Sequence, residues 1–203
     1  NPGTQTCGVG ACTRTVNQCA NGAPVTCTPG SPTAETCNDI DDNCDGVVDN
    51  GAFSDAFEPN ADCAAARALN AVGSDQSFTY SSMTIYGQGD YDYYRVAMNE
   101  TDNSCGCGIF STDEDYQVRV AVTPPAGAGS FEACMNTNSC SFPAGYCFVV
   151  EEGNTLNLSQ WLDGACPGSD NYTLYLRIRG YSTPGFECRP YTLSYTFDAG
   201  YCR

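Results

Sequence analysis

The stretches Tyr172-Thr-Leu-Tyr-Leu-Arg-Ile-Arg179 and Tyr191-Thr-Leu-Ser-Tyr-Thr-Phe197 decide the fold class. In the first, Tyr172, Leu174, Leu176 and Ile178 fall on one side of an extended chain. In the second, Tyr191, Leu193, Tyr195 and Phe197 do the same against Thr192, Ser194 and Thr196. Alternation with period two marks a strand with one buried face, because successive side chains of a strand point to opposite sides. Working outward, Ser77–Tyr86, Tyr91–Met98, Tyr116–Val122 and Tyr146–Glu151 are also rich in Tyr, Val, Phe and Thr, with Gly, Pro, Asn and Asp clusters between them. Strands in such number without intervening helices indicate an all-β protein, an antiparallel β-sandwich over residues 55–203. The Ala-rich segment Cys63–Val72 is the exception: its good helix formers predict a short helix of about two to three turns.

Composition narrows the chemistry. The 203 residues carry 24 Asp and Glu against eight basic residues, all of them Arg, with no Lys and no His, for a net charge of −16. A nucleic-acid surface needs a basic footprint to neutralise phosphates, and the chain has none. Without histidine there is no imidazole base, no haem ligation through His and no His-ligated zinc or copper. Without lysine there is no Schiff base and no P-loop. No Gly-x-Ser-x-Gly occurs, and the adjacent Glu151 and Glu152 point to opposite faces of a strand, so they cannot flank one glycosidic bond. The expectation is a protein that is not an enzyme. Fifteen cysteines without a histidine read as disulfides made in an oxidising compartment, hence a secreted or cell-surface protein. No apolar run is long enough to insert in a membrane, and the first residues lack a basic-then-apolar leader, which reads as a mature chain.

Three segments follow one another. Residues 1–34 hold Cys7, Cys12, Cys19 and Cys27, many Thr and no acid. There the runs Thr13–Val16 and Pro24–Thr26 flank Asn21-Gly22, a hairpin-turn dipeptide, and predict a disulfide-held hairpin head too small for a core of its own. Residues 35–54 begin an acidic stretch, with nine acids and no base between Glu35 and Asp62. Residues 55–203 are the sandwich.

The acidic stretch reads Glu35-Thr-Cys-Asn-Asp-Ile-Asp-Asp-Asn-Cys-Asp-Gly-Val-Val-Asp49. With Asp41 at the first position of a calcium loop, Asn43 falls at the third, Asp45 at the fifth, Gly46 at the turn, the Val47 carbonyl at the seventh and Asp49 at the ninth. Alternate oxygen side chains on a tightly wound loop converge on one point, and glycine permits the sharp turn that aims them. Asp39 adds a further oxygen. Ala52 stands where an EF-hand has its bidentate Glu, so two full helices are not expected. Cys37 and Cys44 bracket the loop and are expected to close it by a disulfide. The ion that suits this oxygen set is Ca2+.

The run Cys37-Asn-Asp-Ile-Asp-Asp-Asn-Cys-Asp-Gly-Val-Val-Asp49, with Cys7–Val16 ahead of it, resembles the MopE-type metal-binding motif of large secreted and surface proteins, over about residues 5–51. Copper does not carry over, because the chain has no imidazole for a softer metal. Downstream, Phe57-Glu-Pro-Asn60, Gly89-Asp-Tyr-Asp-Tyr-Tyr-Arg95 and the two late strands resemble the bacterial pre-peptidase C-terminal (PPC) domain over about residues 55–198, with insertions around Cys105–Cys107 and Cys134–Cys147. That resemblance implies a jelly-roll-like sandwich and a second calcium site at Glu58, Asn60, Asp90 and Asp92.

The combined expectation is a calcium-binding extracellular structural or adhesion protein, self-associating into a filament through strand pairing, calcium and disulfides. The odd fifteenth cysteine, with Cys202 the first candidate, permits a bond between copies. The alternative is an accessory module of a secreted hydrolase system that binds polysaccharide or a surface protein.

Overall fold

The computed structural model describes residues 3–36, 38, 40–49, 55–85, 90–100, 113–165, 171–181 and 187–202. Cys37, Asp39, Gly89 and the Cys105–Cys107 pair lie outside the described residues. The chain divides into two compact units, Asn1–Ser54 and Asp55–Arg203.

In the first unit, β1 (Thr4–Cys7) pairs antiparallel with β2 (Arg14–Asn17) across a single 3-10 turn at Gly10–Cys12. A second, smaller hairpin joins β3 (Cys19–Ala20) to β4 (Ala23–Pro24). Its turn residues Asn21 and Gly22 have φ of 51° and 80°, and the tightest hairpin turn requires positive φ at both. The turn is therefore where the sequence predicts it, but the strands are not: Arg14–Asn17 pairs backward with β1, leaving Cys19–Ala20 to close the Asn-Gly turn. Little apolar surface is buried here, and Cys7–Cys27 and Cys12–Cys44 staple the unit. Closing loops of 20 and 32 residues stabilises by about 3–4 kcal/mol each in the chain-entropy account.

The second unit is a sandwich. One sheet contains β7 (Gln76–Ile85), β14 (Glu187–Cys202), β9 (Asp113–Thr123) and β12 (Leu156–Ala165), hydrogen-bonded in the order β7-β14-β9-β12. The other contains β8 (Tyr91–Asn99), β13 (Asn171–Gly180), β10 (Phe131–Thr137) and β11 (Cys147–Val150), in the order β8-β13-β10-β11. Eight strands distributed in this way make the double Greek key of a jelly roll, and every pairing among them is antiparallel. The core lies between the two inner faces. Leu174, Leu176 and Ile178 of β13 meet Tyr191, Leu193, Tyr195 and Phe197 of β14, all at most 1% exposed. Burying each such side chain is worth about 1.5–3 kcal/mol.

Two strands were not legible as such. β10 uses the small Ala133 and Cys134 at its centre, and β12 interrupts its Leu156, Leu158, Leu162 alternation with Gln160. The helix expected over Cys63–Val72 does not form. A turn (Ala66 N–H to Cys63 O, 3.3 Å) leads instead into β5 (Arg67–Ala68) and β6 (Val72–Gly73), which run parallel along β8. A helix of this length is marginal alone. Here Leu69 and Val72 join the core, the Leu69 N–H bonds the Arg95 carbonyl (3.0 Å), and Cys63 is fixed to Cys140. Among the described residues no helix is long and apolar enough to cross a membrane.

Candidate metal centre

The acidic loop is organised by its own backbone. Asp41 accepts the N–H groups of Asp45 (Oδ1, 3.1 Å) and Gly46 (Oδ2, 3.0 Å), Asn43 Oδ1 that of Asp45 (2.9 Å), and Asp45 Oδ1 that of Val47 (2.9 Å). Short Asp and Asn side chains mimic a backbone turn in this way. Asp41 and Asp49 are buried, while Asp45 and Val47 are exposed. Glu35 is the residue that sequence reasoning did not single out as part of the site. It is buried, and its two oxygens accept the N–H groups of Asn43 (2.7 Å) and Asp49 (3.1 Å), tying both ends of the loop to one carboxylate. Nothing in its local spacing marks it. Asp42 is held by Thr36 instead, whose hydroxyl at 2.6 Å keeps its carboxyl below the usual range.

The disulfide expected between Cys37 and Cys44 is corrected: Cys44 is bonded to Cys12. The loop packs on the 3-10 turn of the same unit, with the Ala11 N–H on the Asp41 carbonyl (2.9 Å) and the Thr33 N–H on the Asp42 carbonyl (2.9 Å). That docking brings Cys12 and Cys44 to a Cα separation of 6.0 Å, within the bridging range. Gly10 permits it: φ is +53°, and a Cβ would lie 2.2 Å from the Asp41 carbonyl oxygen.

In the body, the four residues implied downstream come together. Glu58, Asp90 and Asp92 each place a carboxylate oxygen within 4.8 Å of the others. The Asn60 terminal amide lies against Glu58 Oε1 (2.8 Å), Glu58 Oε2 (3.1 Å) and Asp92 Oδ1 (3.3 Å). An NH2 at this point donates to all three, whereas an Oδ1 makes a fourth oxygen of the set. Asn60 and Asp92 are both fully buried.

Two strands and a lead-in segment build this arrangement. Asp92 occupies a core-phase position of β8, in register with Tyr94, Val96 and Met98, so period two turns it inward. The Tyr93 N–H bonds the Asn60 carbonyl (2.9 Å) and lays residues 58–60 along the strand. Asp55, not foreseen from the sequence, anchors that segment by accepting the N–H groups of Phe57 and Thr84 (2.7 Å each). Tyr191 of β14 donates to Asp92 Oδ2 (2.5 Å) and lies 2.9 Å from the Tyr94 hydroxyl.

Burial is the main electrostatic influence. It lifts the Asp92 carboxyl well above the usual carboxylate range; the Tyr191 hydrogen bond opposes this, and the charges of Asp90 and Asp55 add to it. Burial also raises Glu58, with Asp55 contributing. Tyr191 and Tyr94 are raised by burial first and then by Asp92. A divalent cation would reverse this balance by making the ionised forms favourable. Glu132, Cys134 and Cys147 are the other group whose potential ligand atoms gather. There the sulfurs are joined to each other and Glu132 is ion-paired to Arg177 (2.7 Å) and Arg179 (2.8 Å), so no donor is left for a metal. Among the described residues the loop carboxylates form no such group.

Compared with models of known protein families and with curated proteins, the chain matches none.

Two outcomes follow from this geometry. Gly10→Ala introduces both overlap and left-handed strain, and is expected to keep the Cys12–Cys44 bond from forming during oxidative folding; native thiol titration reads the two thiols left free, and unchanged thiol content would contradict the docking. The raised Asp92 gives a pH dependence to the chelated protein. Its contribution is fully present below the ordinary Asp value of about 3.9 and is lost as pH rises through the folded value. In chelator, Asp92→Asn is therefore expected to flatten the fall in urea midpoint between acid and neutral pH. An identical fall in both proteins would show that Asp92 is not charged at a cost.

Proposed function

We propose that the chain is a non-enzymatic extracellular protein, structural or adhesive, whose body is held by a calcium ion at Glu58, Asn60, Asp90 and Asp92. The observation that supports this reading is the gathering of half-buried Glu58 and Asp90 around the fully buried Asp92. A fully buried Asp92 and the Asn60 amide share one point with Glu58; carboxylates this close repel one another when ionised, and a cation would turn that repulsion into coordination. Calcium suits a set made wholly of oxygen donors, carboxylate and amide alike. The Asp41–Asp49 loop is a second calcium candidate, already wound on its own amides. Disulfides among the described residues of both units support an oxidising, extracellular setting, where calcium modules bind at about 10⁻⁴–10⁻³ M. At ten times its dissociation constant the ion adds about 1.4 kcal/mol per site.

Self-association into a filament is part of the proposal. β12 and β7 end one sheet and β11 ends the other, so backbone edges are present for strand addition. Among the described residues Cys19 is free and exposed, so it is available for a bond between copies. The second reading is a polysaccharide-binding accessory module, which the outer face of the β8–β13–β10 strands favours.

Sedimentation velocity on non-reduced protein tests the assembly. Large species in millimolar calcium that dissolve in chelator are expected. A single species of 21.5 kDa in both would overturn the filament. An unchanged melting temperature on adding calcium would overturn the calcium site.

A further inference from the structure

The solvent face of the β8–β13–β10 strands carries a checkered array of arginine and tyrosine. Strand register sets Arg179 opposite Tyr91, Arg177 opposite Tyr93, and Tyr175 opposite Arg95. These positions alternate with the buried Asp92, Tyr94, Leu174, Leu176 and Ile178, so all six point away from the core. Phe142 folds over the same face: its ring lies 6.2 Å from Tyr93, which lies 6.5 Å from Tyr91. The Arg177 guanidinium sits 5.8 Å from the Tyr91 ring and 5.5 Å from Phe142, and Arg179 sits 5.6 Å from Tyr91.

Charge sets this face apart. Glu132 accepts from Arg177 Nη2 (2.7 Å) and takes a two-pronged contact from Arg179 (2.8 and 3.1 Å). Arg95 stands exposed beside them. Three arginines against one glutamate leave two positive charges here, on a chain of net charge −16. At physiological salt the screening length is about 8 Å, so a partner at this face meets the local arginines more than the distant acids. The array is not explained by stability alone. Arg177 Nε is buried with no hydrogen-bond partner, and leaving a buried donor unsatisfied is unfavourable.

We propose that this face binds an acidic polysaccharide, one bearing carboxylate or sulfate groups on successive sugars; the inference rests on the polysaccharide-binding reading and names its ligand class. Aromatic side chains offer apolar rings to the apolar faces of sugars, and guanidinium groups match carboxylate and sulfate oxygens in a planar fork. Three arginines are too few for a phosphate backbone, whose protein partners commonly neutralise about 6–10 charges. The acidic loop of a second copy is a poorer occupant, because Glu35, Asp41 and Asp49 are buried and their carboxylates already accept backbone N–H groups, that of Asp49 from Asn38.

Affinity electrophoresis tests this with polygalacturonate for carboxylate, dextran sulfate for sulfate and plain dextran as the neutral polymer. The full chain is run at physiological salt, with calcium and with chelator. Retardation by at least one anionic polymer and none by plain dextran is expected. Arg95→Gln and Tyr175→Ala should each weaken it roughly tenfold, the scale of a charged contact. Arg119→Gln removes the same charge from the other sheet and should leave retardation unchanged. Equal loss in Arg119→Gln would overturn the proposal, showing that net charge alone decides. Equal retardation by plain dextran would overturn the charged-face assignment and leave the polysaccharide-binding reading standing. No retardation by any polymer removes both, and altered sedimentation of Arg95→Gln in that case reassigns the face to contact between copies.

Discussion

A carboxylate at the core-facing position of a central strand is the constraint on which this body depends. Asp92 sits in phase with Tyr94, Val96 and Met98, so the pleat of β8 leaves it no route to solvent. Moving an isolated charge into such a place costs several kcal/mol. The surrounding sequence answers with hydroxyl groups from Tyr191 and Tyr94 on one side and with Asn60 on the other. More acids follow rather than an arginine: Asp90 and Asp55 add negative charge near Asp92, and Glu58 stands beside it. Two sheets meet at this point, because Tyr191 belongs to β14 and Asp92 to β8. An ion there would tie the two layers of the jelly roll together through one carboxylate and one phenol.

The head unit meets a different constraint. Its hairpins bury almost nothing, so covalent links and backbone-accepting side chains supply the order that packing supplies in the body. Glu35 and Asp41 each satisfy two loop N–H groups. The Cys12–Cys44 bond then fixes the wound loop to the 3-10 turn. The acidic segment is accordingly part of the head unit rather than a linker leading away from it.

What was legible in the sequence was whatever repeats over short distances. The alternation in Tyr172–Arg179 and Tyr191–Phe197 gave the sandwich faces, and Asn21-Gly22 marked its turn. The grouping of Glu58 and Asn60 with Asp90 and Asp92 was reached through resemblance, since 30 residues separate the two pairs and no periodicity links them. The partners of Cys44, the anchoring roles of Glu35 and Asp55, and the arginine–tyrosine register depend on how distant strands meet, so local pattern is silent on them. Cys63–Val72 failed for the opposite reason. Its local propensity is helical, but two parallel pairings with β8, a disulfide and two core side chains outweigh a marginal helix.

The claim that a cation occupies the buried oxygen set is open to one direct reading. Terbium takes calcium sites and emits when a nearby tyrosine is excited. Tyr191 and Tyr94 surround Asp92, while residues 1–54 contain neither tyrosine nor tryptophan. The account predicts tyrosine-sensitised terbium emission that calcium displaces and that Glu58→Gln with Asp92→Asn abolishes. Absence of sensitised emission from the native chain, or emission unchanged in that double variant, would contradict it.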